Sequence, residues 1–122
     1  MKNYRIHLLR HGKTLANEQG RFVGRTDVPL SEDGIAQLRD LSRNYEYPGV
    51  QKVYSSPLMR CVQTAEILYP AFEPVTIEGL REYDFGKYEN KTAAELVDDT
   101  GFMEWIKNGT AADTMESMYD FE

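Results

Sequence analysis

Arg10 and His11 are the side chains on which chemistry can be built, and they stand side by side in Ile6-His7-Leu8-Leu9-Arg10-His11-Gly12-Lys13-Thr14. A guanidinium presents a planar, permanently charged fork that matches phosphate oxygens, and a neutral imidazole offers a nucleophilic ring nitrogen. Glycine at the next position lets the chain turn tightly and lets a ligand approach the backbone. The apolar run stops abruptly at these residues, as it does where a buried strand hands side chains to a loop. Open α/β sheets bind ligands at the carboxyl ends of their parallel strands. The combination fits attack on a phosphoryl group. A strand end whose Arg and His merely face water uses the same residues, so the surrounding elements have to decide.

Other reactive types are scarce. His7 lies four residues before His11, but that spacing straddles a strand and a turn, and no cysteine or third ligand stands nearby to complete a zinc site. No metal is expected. Cys61 is the one cysteine. It falls on the apolar stripe of a helix and reads as a small core residue rather than a nucleophile. A single cysteine excludes an internal disulfide and is compatible with a reducing cytoplasm. Glu82, taken alone, reads as a surface carboxylate paired with Arg81 or Lys87.

The elements that must position these groups follow from the pattern. Tyr4, Ile6, Leu8 and Leu9 predict a buried strand over residues 4–9. Residues 14–27 are polar and punctuated by Gly20 and Gly24, which predicts a short helical turn plus loop. Ser31 is a good helix N-cap, Glu32 and Asp33 suit the positive end of the dipole, and Leu30 with Ile35 fits a hydrophobic staple. Ile35, Leu38 and Leu41 continue the stripe, so a helix is expected over residues 32–43. Val50 to Tyr54 predicts a second strand, and Ser56-Pro57 starts a helix over residues 57–69. Leu58, Cys61, Val62, Ala65 and Leu68 mark its buried face, and Arg60 in its first turn can point toward the same pocket as Arg10. Val75 to Ile77 predicts a third strand. Thr92 and Glu95 fit a capping box for a helix over residues 93–99, with Gly101 as a breaker. Phe102, Met103, Trp105 and Ile106 then make an aromatic-rich helical turn, best explained by packing. The order β-α-β-α-β-α argues for an α/β domain with a mostly parallel sheet flanked by helices.

With 122 residues the chain fits one domain with a modest core, and 41% apolar against 28% charged residues places it among soluble globular chains. Met1-Lys2-Asn3-Tyr4-Arg5 leads into only a short apolar run. It does not read as a signal peptide, and no stretch is long enough to span a membrane, so a cytoplasmic protein is expected. The net charge of −6 divides into +4 over residues 1–60 and −10 over residues 61–122. An acidic protein with a local cluster of Arg10, Lys13, Arg21, Arg25 and Arg60 calls for a small anionic substrate rather than nucleic acid. Arg39 and Arg43 read as solvated.

Leu9-Arg10-His11-Gly12-Lys13-Thr14 with Asn17 beyond it resembles the signature of the histidine phosphatase superfamily, the phosphoglycerate mutase-like enzymes. The resemblance recurs in order at Gly24-Arg25-Thr26-Asp27-Val28-Pro29-Leu30-Ser31, at Ser55-Ser56-Pro57-Leu58-Met59-Arg60 and at Leu80-Arg81-Glu82-Tyr83-Asp84-Phe85-Gly86. It implies a three-layer α/β fold and phosphomonoester hydrolysis through a phosphohistidine on His11, with no cofactor and a small phosphorylated metabolite as substrate. It implies further that Arg10, Arg60 and Asn17 hold the phosphoryl oxygens. Glu82 protonates the leaving oxygen and then deprotonates the attacking water. That role needs a carboxyl able to hold a proton near neutrality, which a bound dianion favours. Val23, Gly24 and Tyr83 are carried over as substrate contacts. The acid segment is closer to the phosphatase branch, including α-ribazole phosphatase-like enzymes, than to the mutases, which return the phosphoryl group to substrate.

Two departures stand out. Glu89-Asn90-Lys91 replaces the second glycine that usually follows the acid motif, and asparagine tolerates the left-handed backbone better than most residues. The family's pocket also includes a second histidine on a later strand, whereas this chain has only His7 and His11. The expectation is a chain truncated at its carboxyl end. Exposed sheet edge would then leave it to dimerise, to pair with a partner chain or to be marginally stable. A non-catalytic phosphate-binding module is the rival from outside the enzymes, and a phosphoglycerate mutase the rival within them.

Overall fold

Ser31 fixes the start of the longest helix in the computed structural model, which describes residues 3–82 and 85–108. Its Oγ accepts from the Gly34 N–H at 3.0 Å, Glu32 and Asp33 occupy the positive end, and Arg43 sits in the last turn. The elements in order are α1 (Leu15–Glu18), α2 (Glu32–Asn44), β1 (Tyr54–Ser55), α3 (Met59–Leu68), β2 (Val75–Thr76), α4 (Ala93–Leu96) and α5 (Thr100–Asn108). Short 3-10 turns at Glu78–Leu80 and Gly86–Tyr88 lie between β2 and α4.

β1 and β2 pair in parallel, Tyr54 opposite Val75 and Ser55 opposite Thr76, with α3 as the crossover. The chain therefore has an α/β fold with a parallel sheet and flanking helices. The apolar stripe of α2 lies on α3: Leu30, Leu38 and Leu68 form one core cluster, with Ile35, Tyr47, Ile67 and Tyr69 around it. Leu30 and Ile35, the expected staple pair, both belong to this apolar cluster.

α3 begins at Met59, two residues later than expected. Ser56 Oγ reaches only the Leu58 N–H, at 3.4 Å, and no side chain of its own segment caps the helix. Asp27 does so from a distant loop, its Oδ1 accepting from the Met59 N–H at 2.7 Å. A carboxylate there both satisfies an orphan donor and meets the positive dipole end.

The expected buried strand at residues 4–9 is corrected. Residues 3–13 form no strand, and Tyr4, Ile6 and Leu8 are 82%, 83% and 91% exposed. An apolar, β-compatible segment becomes a strand only against a ladder partner, and the β1–β2 pair does not extend to it.

A second core sits under α5. Tyr88, Leu96 and Phe102 are buried together with Phe22 and Phe85 against them, and the Tyr88 and Phe22 rings lie 5.4 and 5.5 Å from that of Phe102. The aromatic segment is thus packing, at least through Phe102. Gly101 does not break a helix but lies within α5, and a Cβ there would meet the Tyr88 hydroxyl oxygen at 2.8 Å. The preceding helix ends at Leu96 rather than at residue 99. Asp99 accepts from the Phe102 N–H and the Tyr88 hydroxyl, both at 2.9 Å, and these bonds hold its carboxyl below the usual carboxylate range.

Residues 21–22 run antiparallel to residues 90–92. Phe22 N–H donates to Lys91 O at 2.8 Å, Asn90 N–H donates to Phe22 O at 2.6 Å, and Arg21 bridges Thr92. Asn90 takes φ +63°, the left-handed turn that its identity allowed. Asn90→Gly is expected to leave stability unchanged or raise it by up to about 1 kcal/mol, whereas Asn90→Val costs roughly 1–2 kcal/mol. Urea midpoints of the two variants check the difference.

Candidate active site

The nucleophile candidate is held by its own backbone. His11 Nδ1 lies 2.6 Å from Gly12 O, a carbonyl that can only accept, so in the neutral ring this nitrogen carries the proton and the lone pair sits on Nε2. Gly12 in turn is pinned to α3, its N–H donating to Thr64 Oγ1 at 3.0 Å while that hydroxyl donates to Arg60 O at 2.7 Å. A Cβ on Gly12 would fall 2.7 Å from Leu38 Cδ1, so the turn needs glycine to lie on α2. Thr64 is buried. Sequence reading passed over it, although a hydroxyl among the apolar positions of α3, four residues after Arg60, was the signal.

Glu82 leaves the 3-10 turn that follows β2 and brings Oε1 to 3.7 Å from His11 Nε2. At that separation no direct hydrogen bond between the two groups ties up Nε2. The His11 side chain is 10% exposed and that of Glu82 41%. A ligand can therefore enter from the Glu82 side. The surface partners considered for Glu82 are engaged elsewhere: Arg81 Nε pairs with Glu78 Oε2 at 2.9 Å, and Lys87 Nζ sits 5.3 Å from the Tyr88 ring centre. Instead Glu82 is held by its backbone, its carbonyl accepting from Arg25 Nε at 3.1 Å.

The other sequence-derived positions divide. Arg10 lies exposed beside His11. Asn17 closes a reciprocal capping box at the start of α1: Thr14 N–H donates to its Oδ1 at 3.0 Å, and its own N–H donates to Thr14 Oγ1 at 3.1 Å. Asn17 is itself exposed. Arg60 is almost wholly buried, at 1% exposure. Its Nη1 donates to Thr26 O at 2.8 Å, its Nη2 donates to Gly24 O, and its Nε has no partner among the described residues. Val23 is half-buried and Gly24 buried. Tyr83 lies outside the described residues. Cys61 is half-buried, and burial pushes its thiol pKa up against the opposing Arg60 charge, so the thiolate is disfavoured. Among the described residues no three His, Cys, Asp or Glu side chains gather around a common point that could hold a metal ion.

One residue joins the loops on either side of this site. The Glu89 carboxylate accepts from the N–H groups of Gly24, Arg25 and Phe85 and from the Thr26 hydroxyl. Sequence reading met Glu89 only as the neighbour of a missing glycine.

The chain is similar to known proteins over most of its length. A "Putative phosphoserine phosphatase 2" of Hydrogenobacter thermophilus is 36% identical over 124 residues, covering 97% of this chain and 61% of that protein. A "Probable phosphoglycerate mutase GpmB" of Yersinia pestis is 35% identical over 108 residues, covering 86% of this chain and 50% of the relative. The crystal structure of TTHB049 from Thermus thermophilus superposes with a TM-score of 0.73 at 34% identity, over 93% of this chain and 64% of the other. That of the alpha-ribazole phosphatase from Shigella flexneri gives a TM-score of 0.80 at 25% identity, over 93% and 59%. The chain thus spans about half to two thirds of these relatives. The family model for the histidine phosphatase superfamily (branch 1) matches residues 6–122, and the chain belongs to that family.

Proposed function

We propose that the chain serves phosphomonoester hydrolysis through a phosphohistidine on His11. The observation that carries this reading is the pairing of a ring with Nδ1 bound to Gly12 O and a carboxylate 3.7 Å from the free Nε2. The Nε2 lone pair attacks phosphorus as the P–O bond to the leaving group breaks. The protonated Glu82 carboxyl gives its proton to the departing oxygen. The resulting carboxylate takes a proton from water, the hydroxide attacks the phosphohistidine, and inorganic phosphate leaves with His11 restored. Arg10 and the Asn17 amide supply charge and a neutral donor to the phosphoryl oxygens.

Acid-stable peptides are not required to test this, because base-quenched digestion preserves phosphohistidine. Turnover of an aryl phosphate should leave a phosphoryl group on residue 11, located by mass spectrometry, and its absence during measurable turnover overturns the route. Glu82→Gln should lower turnover about 10²- to 10⁴-fold on an alkyl phosphate and much less on p-nitrophenyl phosphate, whose leaving group needs no proton. Free phosphate as product separates hydrolysis from the mutase reaction, which would return the group to a phosphoglycerate.

A phosphate-binding module without turnover is the second reading. It is favoured by Arg60, whose two Nη atoms are engaged by loop carbonyls. It predicts saturable binding of inorganic phosphate with no labelled His11. The substrate class under either reading is a small phosphorylated metabolite. Among the described residues no helix is long and apolar enough to cross a membrane. With Cys61 as the lone thiol, the proposed compartment is the cytoplasm.

A further inference from the structure

Glu89 touches neither His11 nor Glu82, yet four donors from two separate loops converge on its carboxylate. Gly24 N–H lies 3.1 and 3.0 Å from its two oxygens, Arg25 N–H 2.9 Å, Thr26 Oγ1 2.9 Å and Phe85 N–H 3.2 Å. Carboxylate acceptors of backbone N–H groups make charge-assisted bonds, stronger than neutral ones. Three further hydrogen bonds show what these loops hold. Arg25 Nε reaches across to the carbonyl of Glu82 at 3.1 Å, and the carbonyls of Gly24 and Thr26 receive Arg60. Glu89 itself is anchored, since it closes the 3-10 turn Gly86–Tyr88, whose Tyr88 is 1% exposed, and precedes Asn90, which pairs with Phe22.

We infer that Glu89 is a positioning residue for the proton donor: its carboxylate latches the 24–26 loop to the segment carrying Glu82, and this latch sets Glu82 beside His11. The inference rests on the phosphohistidine reading. Its physical content is that a neutral amide cannot replace the latch. Gln presents one acceptor oxygen, and its NH2 faces donors with which it cannot bond. The Glu82 segment then loses its tie to Arg25 and drifts, and a displacement of about 1 Å is enough to lower the rate by about 100-fold.

The test is Glu89→Gln in the full chain, read in two ways. With an alkyl phosphate, turnover should fall roughly 10- to 100-fold, and with p-nitrophenyl phosphate several-fold less. On a Glu82→Gln background the same substitution should add almost nothing. The second readout needs no turnover. Carbethoxylation of His11 by diethyl pyrocarbonate, located by mass spectrometry, should change in Glu82→Gln. It should change equally in Glu89→Gln and no further in the double variant. Equal losses on both substrates, or losses and modification rates that multiply in the double variant, overturn the inference and leave Glu89 a loop stabiliser. Should Glu89→Gln fail to fold, Thr26→Val removes one of the four donors and should give a weaker form of the same signature. An unlabelled His11 during turnover would instead overturn the reaction itself, while the modification cycle still decides the latch.

Discussion

Replacing His11 by alanine is expected to lower phosphate release from an aryl phosphate by roughly 10⁴-fold or more, with the fold intact. In the proposed route the loss follows from removing the group that accepts the phosphoryl. Arg10, Asn17 and Glu82 remain, and they can still gather a phosphate and offer a proton, but water would then have to attack directly without a covalent intermediate. The structural cost is small. His11 gives up one part-buried bond to Gly12 O, worth about 1 kcal/mol, and the Gly12 N–H keeps Thr64. The variant should therefore bind inorganic phosphate and unfold at nearly the wild-type urea midpoint. Turnover that survives in His11→Ala sinks the phosphohistidine route, whatever the source of the remaining activity.

Gly34→Ala sets two effects of opposite sign against each other. Alanine is favoured over glycine inside a helix by about 1 kcal/mol, so propensity alone predicts a gain. Gly34 lies in the first turn of α2, however, and a Cβ there would fall 2.1 Å from Lys13 O and 3.0 Å from its carbonyl carbon. Both are backbone atoms and no rotamer can clear them. α2 would have to move away from the segment that carries His11, giving up the Ser31 N–H bond to Lys13 O at 2.9 Å and the packing of Leu38 on Gly12. The expected outcome is a loss of roughly 3 kcal/mol or more, with turnover lowered alongside because His11 rides on the same segment. Gly49→Ala and Gly79→Ala are the controls, since a Cβ at either meets nothing within 4 Å. A stabilised Gly34→Ala would show that this contact does not exist.

These two residues illustrate what could be read before the fold was known. His11 was legible because its neighbours Arg10 and Gly12 define a chemistry by type and adjacency alone. α2 was legible to within one residue, as Ser31, the acidic first turn and the Leu38 stripe all point the same way. Gly34 was not, because its constraint comes from a carbonyl 21 positions away in sequence. The burial of Arg60 escaped for the same reason: its partners are carbonyls of residues 24 and 26, and carbonyls carry no sequence signal. The start of α3 was misplaced because its cap is Asp27, from another loop, rather than the adjacent Ser56. Glu89 looked like a departure from a pattern when its role lies in the four donors that surround it. Residues 4–9 show the limit of periodicity: the pattern names a segment that can become a strand but not the partner that makes it one.

That last segment has a consequence for what stability means in this protein. Ile6 and Leu8 stand almost wholly in water, and Tyr54, Val75 and Ile77 in and beside the small sheet are also exposed. Each is ready to bury surface against a further strand, at about 25 cal/mol for every Å² of apolar area. Any strand that docks there, from a second copy or from another chain, draws the folded population toward itself by mass action. Were such a strand to bind, the melting temperature would be no constant of the molecule; it would rise with the amount of partner in solution, as it does for a receptor measured with its ligand.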